Sequence, residues 1–294
     1  MTDTIFITGA SGHLGRAVIH HLLERGVAPS KIIAGTRDPD KIADLAARGV
    51  VVRAADFDDK PGLVKAFAGA HTILIVSTDA LDGAGTRQRQ HSTAVEAAVE
   101  AGAKRLAYTS LPVPETSKVS FAPDHLNTEK AVKATGLPYL LFRDNWYQEN
   151  LFRALPHAFA GGQWYTSAGA GRTAYVARDD IAAAIAGAIV NWPTQSTTYT
   201  LTGTEALTNE QIAKLASAAV GKPLQVVDLT DEQLAGGMKA AGLPEAIIPT
   251  LVSFDTATRA GDLALVTGDV EALSGRKSKP LKVFLEENKA VLGA

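Results

Sequence analysis

Glycines at positions 9, 12 and 15 are spaced GxxGxxG in the run Thr8-Gly9-Ala10-Ser11-Gly12-His13-Leu14-Gly15, directly after a short apolar segment. A strand must turn sharply there, backbone must approach a pyrophosphate with no Cβ in the way, and the next helix must pack closely on the sheet. Each glycine can serve one of these needs. The helix that follows presents free N–H groups to phosphate oxygens. The stretch Thr8 to Gly15, with Ser11, His13 and Leu14 between the glycines, is the candidate phosphate loop of a dinucleotide. A glycine-rich strand-turn-helix corner with no ligand is the plain alternative.

An acid about 20 residues past such a loop would hold the ribose 2′-hydroxyl of NAD. The chain has Gly35-Thr36-Arg37 instead. A guanidinium can grip a 2′-phosphate bidentately where an acid repels it, so Arg37 favours NADP(H) over NAD(H), unless it is only a solvated surface arginine. Asp56-Phe57 stand where adenine would lie, Asp56 either accepting from the exocyclic amine or capping the next helix. Ser77-Thr78 follow the fourth apolar run, near the switch point where ligands of open sheets collect.

The elements that must position these residues are legible as periodicity. Short apolar runs at Thr4–Thr8, Ile32–Thr36, Val50–Ala54, Thr72–Val76, Arg105–Thr109 and Tyr139–Phe142 alternate with helix-length stretches. The first helix starts near Gly12 and repeats Leu14, Val18 and Leu22 at four-residue spacing, with Gly26 as C-cap; others fit Pro39–Arg48, Pro61–Phe67, Arg87–Ala101 and His125–Thr135. The pattern predicts an α/β doubly wound parallel sheet, with a smaller, mostly helical C-terminal lobe. Residues 1–150 form the first domain, with returning segments near 173–205, and 151–294 supply most of the second, interleaved lobe. Arg143–Leu155 reads as helix, Gly161–Gly171 as loop or hairpin, Thr198–Thr202 as strand, and capping boxes open helices at Thr208/Gln211 and Thr230/Gln233.

Composition narrows the function. The 294 residues carry 29 Lys+Arg against 31 Asp+Glu, without the basic clustering that a nucleic-acid backbone or an anionic bilayer requires. Cysteine is absent, which excludes disulfides, thiolate nucleophiles and iron–sulfur clusters. No GxSxG, HExxH or GxxxxGK[ST] motif occurs, and the His20-His21 pair diverges on its helix, so no metal site is expected. The N-terminus has neither a basic flank nor a long apolar run, and the expected location is the cytoplasm, without nucleic-acid or membrane partners. The composition admits a homo-oligomer.

In order and spacing, TGASGHLG, TRDPDK, ADFDD, AYTSL, HLNTEK and LPYLLFRDNWYQENL resemble the NmrA-like branch of the atypical short-chain dehydrogenase/reductases. The likeness is greatest to its bacterial NADPH-dependent quinone oxidoreductase and triphenylmethane reductase members, covers nearly the whole chain, and is weakest beyond Gly203. It implies an NADP-binding Rossmann domain whose C-terminal lobe forms a cleft over the nicotinamide, with hydride passing directly to an acceptor without flavin. It places the phosphate loop on Gly9, Gly12, His13, Leu14 and Gly15, the 2′-phosphate residue on Arg37, and the nicotinamide side near Thr109, Ser110, His125 and Phe142 to Tyr147. His125 falls where this branch has a lysine or histidine facing the cofactor; it is a candidate proton donor, or only a helix-start residue. Asn145, Trp146 and Tyr147 are candidates to sandwich a planar acceptor, though Trp146 and Tyr147 could instead pack one lobe on the other.

One departure matters. No tyrosine is followed four residues later by lysine, so the acid pair of the wider superfamily is missing. A simple carbonyl needs a proton donor where hydride addition leaves an alkoxide. A quinone yields a delocalised phenolate and a triarylmethane cation becomes neutral, so both tolerate its absence. The expectation is an NADPH-dependent reductase of quinones or similar planar electrophiles. The alternative is a nicotinamide-dinucleotide sensor without turnover; a reductase of phenylpropanoid or ether type would call for lysine where His125 stands.

Overall fold

The computed structural model describes residues 3–82 and 85–293. Strand β1 (Ile5–Ile7) runs through the glycine loop into α1 (His13–Glu24). The alternation continues with β2 (Ile32–Thr36), α2 (Ala43–Ala47), β3 (Val51–Ala54), α3 (Lys60–Phe67), β4 (Thr72–Ile75), α4 (Thr86–Glu100), β5 (Arg105–Ser110), α5 (Ala122–Ala134) and β6 (Tyr139–Asp144). The remainder comprises α6 (Leu151–Gly161), β7 (Gln163–Thr166), α7 (Arg178–Val190), β8 (Thr197–Leu201), α8 (Asn209–Val220), β9 (Gln225–Asp228), α9 (Asp231–Ala240), α10 (Ile248–Ala260), α11 (Asp269–Ser274), α12 (Leu281–Glu287) and α13 (Lys289–Leu292).

Seven strands pair in parallel in the order β3-β2-β1-β4-β5-β6-β8. Ile5 faces Ile32 on one side and Thr72 on the other, so the strand order reverses at β1 and opens a crevice at the carboxyl ends of β1 and β4. Alternation along β1 sends Ile5 and Ile7 to one face, against Leu14, Val18 and Leu22 of α1 and Ile181 and Ile185 of α7. Phe6 goes to the other face, against Leu63 and Phe67 of α3 and Val95 of α4. Burial on both faces is what continuous apolar strands require, and this is the Rossmann-like α/β architecture expected. Helix α7 and strand β8 return to this sheet, β8 pairing with β6 from Leu140↔Thr197 to Asp144↔Leu201.

The second lobe packs α6, α8 and α12 around Leu155, Phe159, Ile212, Leu281 and Phe284. Both expected capping boxes form, at Thr208 with Gln211 and at Thr230 with Gln233. Three local expectations are corrected. The glycine-rich stretch holds β7, which pairs in parallel with β9 from Gln163↔Gln225 to Thr166↔Asp228; a short two-stranded sheet buried on one face leaves too little periodicity to read. Arg143–Leu155 is not one helix, because β6 runs on to Asp144 and α6 begins only at Leu151. Finally, α5 begins at Ala122, since Pro123 fits the first turn of a helix; His125 lies inside it and does not open it.

Candidate active site

At the β1 edge the site is built of backbone. Gly9 adopts φ +62°, a conformation that favours glycine, and its carbonyl accepts from Gly12 N at 2.9 Å. A Cβ on Gly15 would sit 2.5 Å from Gly9 O, so only glycine lets α1 pass this close. Gly12 caps α1 without a side-chain hydrogen bond, and no acid stands in its first turn, so its leading N–H groups stay available to an anion. Gly9, Ser11, Gly12 and His13 are exposed, while Leu14 and Gly15 are buried. Thr8 Oγ1 accepts from Val76 N at 2.8 Å and Ser11 Oγ accepts from Thr36 at 2.9 Å, bracing the loop against β4 and β2.

Arg37 is exposed at the end of β2, with no carboxylate within ion-pair distance among the described residues. The neighbouring acid is turned away: Asp38 accepts from Asp40 N at 3.2 Å and faces Lys41 at 3.6 Å. Asp56 is exposed and accepts from Asp58 N at 3.0 Å, whereas the cap of α3 is Asp59, which accepts from Gly62 N. Phe57 is half-buried beside it. An uncapped helix start, a loop that α1 passes too closely for a Cβ and a free guanidinium together fit a phosphorylated dinucleotide.

The ends of β4, β5 and α5 carry a different kind of site, a buried polar network. Arg87 of α4 donates to the carbonyl of Thr78 and, at 2.9 Å, to Nε2 of His125. Nδ1 of His125 lies 2.7 Å from the Tyr108 hydroxyl, and Nδ1 of His91 lies 3.0 Å from Thr128 Oγ1 and 3.2 Å from Tyr108. Thr78 N donates to His91 Nε2 at 3.0 Å. Because an amide N–H and a guanidinium can only donate, both Nε2 atoms are acceptors and both histidines carry their proton on Nδ1. The network has a donor at each end, Arg87 and Thr78 N, and Thr128 donates its hydroxyl proton to the Asp124 carbonyl at 2.7 Å. Burial, reinforced by the Arg87 charge, holds both rings neutral: the His91 pKa falls to about 3 and that of His125 well below its usual value. Burial likewise raises the Tyr108 phenol.

The other expected nicotinamide-side residues are mostly structural in this geometry. Thr109 Oγ1 accepts from Ser77 N at 2.8 Å and Ser110 Oγ donates to Glu129 at 2.7 Å, both inside the protein. Glu129, fully buried, is gripped by Arg143 through Nε at 2.9 Å and a terminal nitrogen at 2.8 Å. Phe142 is corrected: alternation on β6 turns it into the core against Tyr199, with no exposed surface to offer a cofactor. Asn145 is corrected too. At 1% exposure it donates to Leu263 O and accepts from Trp146 N, tying β6 to the second lobe. Tyr147 packs on the main core beneath Arg178, and its hydroxyl donates to Asp144 at 3.5 Å. Burial holds that Asp144 carboxyl well above the usual range.

Trp146 alone of the three forms an aromatic wall. Its ring packs edge-on to Phe254 of α10 at 5.0 Å, and Phe254 meets Phe121 at 6.0 Å; all three are half-buried where the second lobe covers the sheet edge. Sequence reasoning missed Phe121 and Phe254, which nothing local marks, and also Arg87, His91 and Tyr108. The spacing Arg87-x-x-x-His91 on one helix face was the available signal for two of them.

Among the described residues no helix is long and apolar enough to cross a membrane, and no cluster of His, Asp or Glu could hold a metal ion. Comparison with known proteins agrees with this geometry. The profile of the NmrA-like family matches residues 1–282. Quinone oxidoreductase 2 of Escherichia coli is 36% identical over 259 residues, covering 88% of this chain and 89% of that protein. The NAD(P)H azoreductase of Xenophilus azovorans is 26% identical over 99% of each chain. The E. coli NADPH-dependent quinone oxidoreductase complexed with NADPH superposes with TM-score 0.91 at 34% identity, over 97% of this chain and 99% of that one. Triphenylmethane reductase of Citrobacter sp. complexed with NADP(H) superposes with TM-score 0.90 at 32% identity, over 97% and 100%. A profile match over residues 1–282 and a relative 36% identical over 88% of the chain place this chain in the NmrA-like family.

Proposed function

We propose that this protein is an NADPH-dependent oxidoreductase that delivers hydride directly, without flavin, to a quinone or similar planar electrophile. The reading is carried by two features that both follow carboxyl ends of strands in the parallel sheet: the uncapped, glycine-lined start of α1 beside free Arg37, and the cluster of Trp146, Phe254 and Phe121. The first suits a phosphorylated dinucleotide and the second a flat apolar acceptor. Likeness to reductases of quinones, azo compounds and triphenylmethanes supports the acceptor class.

When bound, NADPH supplies the hydride. The chain's own part is to hold phosphates at Gly9 to Gly15 and the 2′-phosphate at Arg37, to lie beside adenine with Asp56 and Phe57, and to line the ribose path with Ser77 and Thr78. His125 acts as a positioning residue in this reading, because its ring is held neutral, its Nδ1 proton is engaged with Tyr108 and its Nε2 accepts from Arg87. A quinone needs none from the protein, since solvent can protonate a phenolate. The preference for NADPH over NADH rests on Arg37, and the cytoplasm is taken as the working compartment on the strength of the composition. A sensor without turnover is less well supported: the NmrA transcriptional regulator shares the fold at 17% identity and TM-score 0.75. The test is oxidation of NADPH followed at 340 nm with a panel of quinones, a triarylmethane dye and an azo dye, repeated with NADH. NADPH-dependent turnover is expected; tight cofactor binding with no turnover across the panel would overturn the reading.

A further inference from the structure

Arg87 is a buried cation with no carboxylate within ion-pair distance among the described residues. It is 8% exposed, and its polar contacts are the carbonyls of Thr78 and Ala80 and Nε2 of His125, all neutral. Its Nε is buried with no hydrogen-bond partner, and Asp79 and Asp124 act on it only from beyond ion-pair distance. A buried charge left unpaired is unfavourable, and an arginine does not escape by losing its proton. The location is informative. Thr78 and His125 flank the carboxyl end of the sheet, and the guanidinium carbon stands 4.7 Å from the centre of the Phe121 ring. That ring is the inner member of the aromatic wall, so the positive charge sits one ring behind it.

We propose that Arg87 determines acceptor specificity: its field favours acceptors that gain negative charge on reduction, quinones foremost, and opposes acceptors that arrive as cations. The inference rests on the reductase reading above and sharpens its substrate class. In the reaction a C–H bond of reduced nicotinamide breaks and its two electrons and hydrogen nucleus pass to the acceptor, leaving NADP⁺. A neutral quinone thereby becomes the hydroquinone monoanion, which a solvent proton converts to hydroquinone. A triarylmethane cation takes the same hydride at its central carbon and becomes neutral. A fixed cation nearby stabilises the negative charge that develops in the first case, and repels the substrate and gains nothing from the product in the second.

The test compares Arg87→Gln and Arg87→Lys with the unaltered protein, using a benzoquinone and a cationic triarylmethane dye as acceptors. NADPH affinity is read from nicotinamide fluorescence and folding from thermal unfolding. In Arg87→Gln, kcat/KM for the quinone should fall about 10–100-fold, less than when a donor in direct contact with an oxyanion is lost. That for the dye should hold or rise, with NADPH affinity nearly unchanged, and Arg87→Lys should recover part of the quinone rate. Equal falls for both acceptors would make Arg87 only a brace for the segment after β4 and overturn the proposal. A binding measurement needs no variant: the NADP⁺-loaded unaltered protein should bind dinitrophenolate, a stable phenolate, about tenfold tighter than uncharged dinitrobenzene, read by tryptophan quenching. Equal affinities would overturn the proposal as well. Failure of the unaltered protein to reduce either acceptor would instead be failure of the reductase reading itself.

Discussion

The two ends of the crevice are made of different materials. At the β1–β2 end the proposed phosphate site is largely backbone, the glycine turn and the start of α1, with the exposed guanidinium of Arg37 beside it. At the β4–β6 end side chains dominate, a buried network of Arg87, His91, Tyr108 and His125 beside an aromatic cluster completed from α10. A pyrophosphate is the same in every dinucleotide and is met by N–H groups that any sequence carries, so the first end needs only room. An acceptor is read by shape and charge, so the second end needs particular residues from distant parts of the chain.

The contrast can be broken by experiment. Removing the Glu129 carboxylate should have the largest effect, because it leaves Arg143 and the Ser110 hydroxyl without their buried partner. Glu129→Ala is expected to lower stability by about 3–4 kcal/mol in denaturant unfolding. A loss under 1 kcal/mol would mean that the acceptor end does not depend on its side-chain network. At the other end, Gly15→Val forces a Cβ against Gly9 O; it should destabilise by about 2–3 kcal/mol and abolish measurable NADPH binding. Retained binding would show that the close approach of α1 is dispensable.

Arg37→Ala should weaken NADPH by ~1.5–3 kcal/mol and leave NADH nearly unchanged, as read by titration of each cofactor; equal losses would sink the 2′-phosphate assignment. The histidines give a pH signature confined to the acceptor end. Their folded-state pKa values lie below the unfolded value near 6.5, so the unfolded chain binds more protons in acid. Stability is therefore complete above about pH 6.5 and is lost as pH falls toward 3. For His91 the loss should reach about 2 kcal/mol at pH 5, and His91→Gln should remove that share of the slope. The same neutrality predicts that the pH–rate profile shows no bend from His125 between pH 6 and 8; a bend there that His125→Ala removes would restore it as proton donor.

The smallest effect should come from Asp144, whose folded-state pKa is raised, so that the native state holds a proton the unfolded chain releases. That disfavours folding as pH rises above 4. Asp144→Asn, which carries no such penalty, should be more stable than the unaltered protein at pH 7 and differ little from it near pH 4. A destabilising substitution at both pH values would show that the carboxyl makes contacts an amide cannot replace.

Most of the sheet was legible because each strand buries both faces and each flanking helix repeats an apolar stripe, as Leu14, Val18 and Leu22 do. The pairing of β7 with β9 was not, since the two strands lie about sixty residues apart and are only partly buried. In the site, glycine spacing could be read because the turn at Gly9 and the close approach at Gly15 each restrict the residue type locally. Asn145 and Phe142 were misread for the opposite reason: proximity to the site in sequence says nothing of whether a side chain points to the crevice or away from it.

The sequence by itself determined the order of strands and helices, the glycine turn into α1 and the exposed cation at position 37, all features with local physical causes. Only the tertiary structure decided that Arg87 lies buried against His125, that His125 is locked in one tautomer, and that Phe254 closes the wall begun by Phe121 and Trp146. Those outcomes depend on which surfaces meet when α4, α5 and α10 pack. Burial then sets charge state and proton position through desolvation, and desolvation is a property of the assembled neighbourhood, not of any one residue.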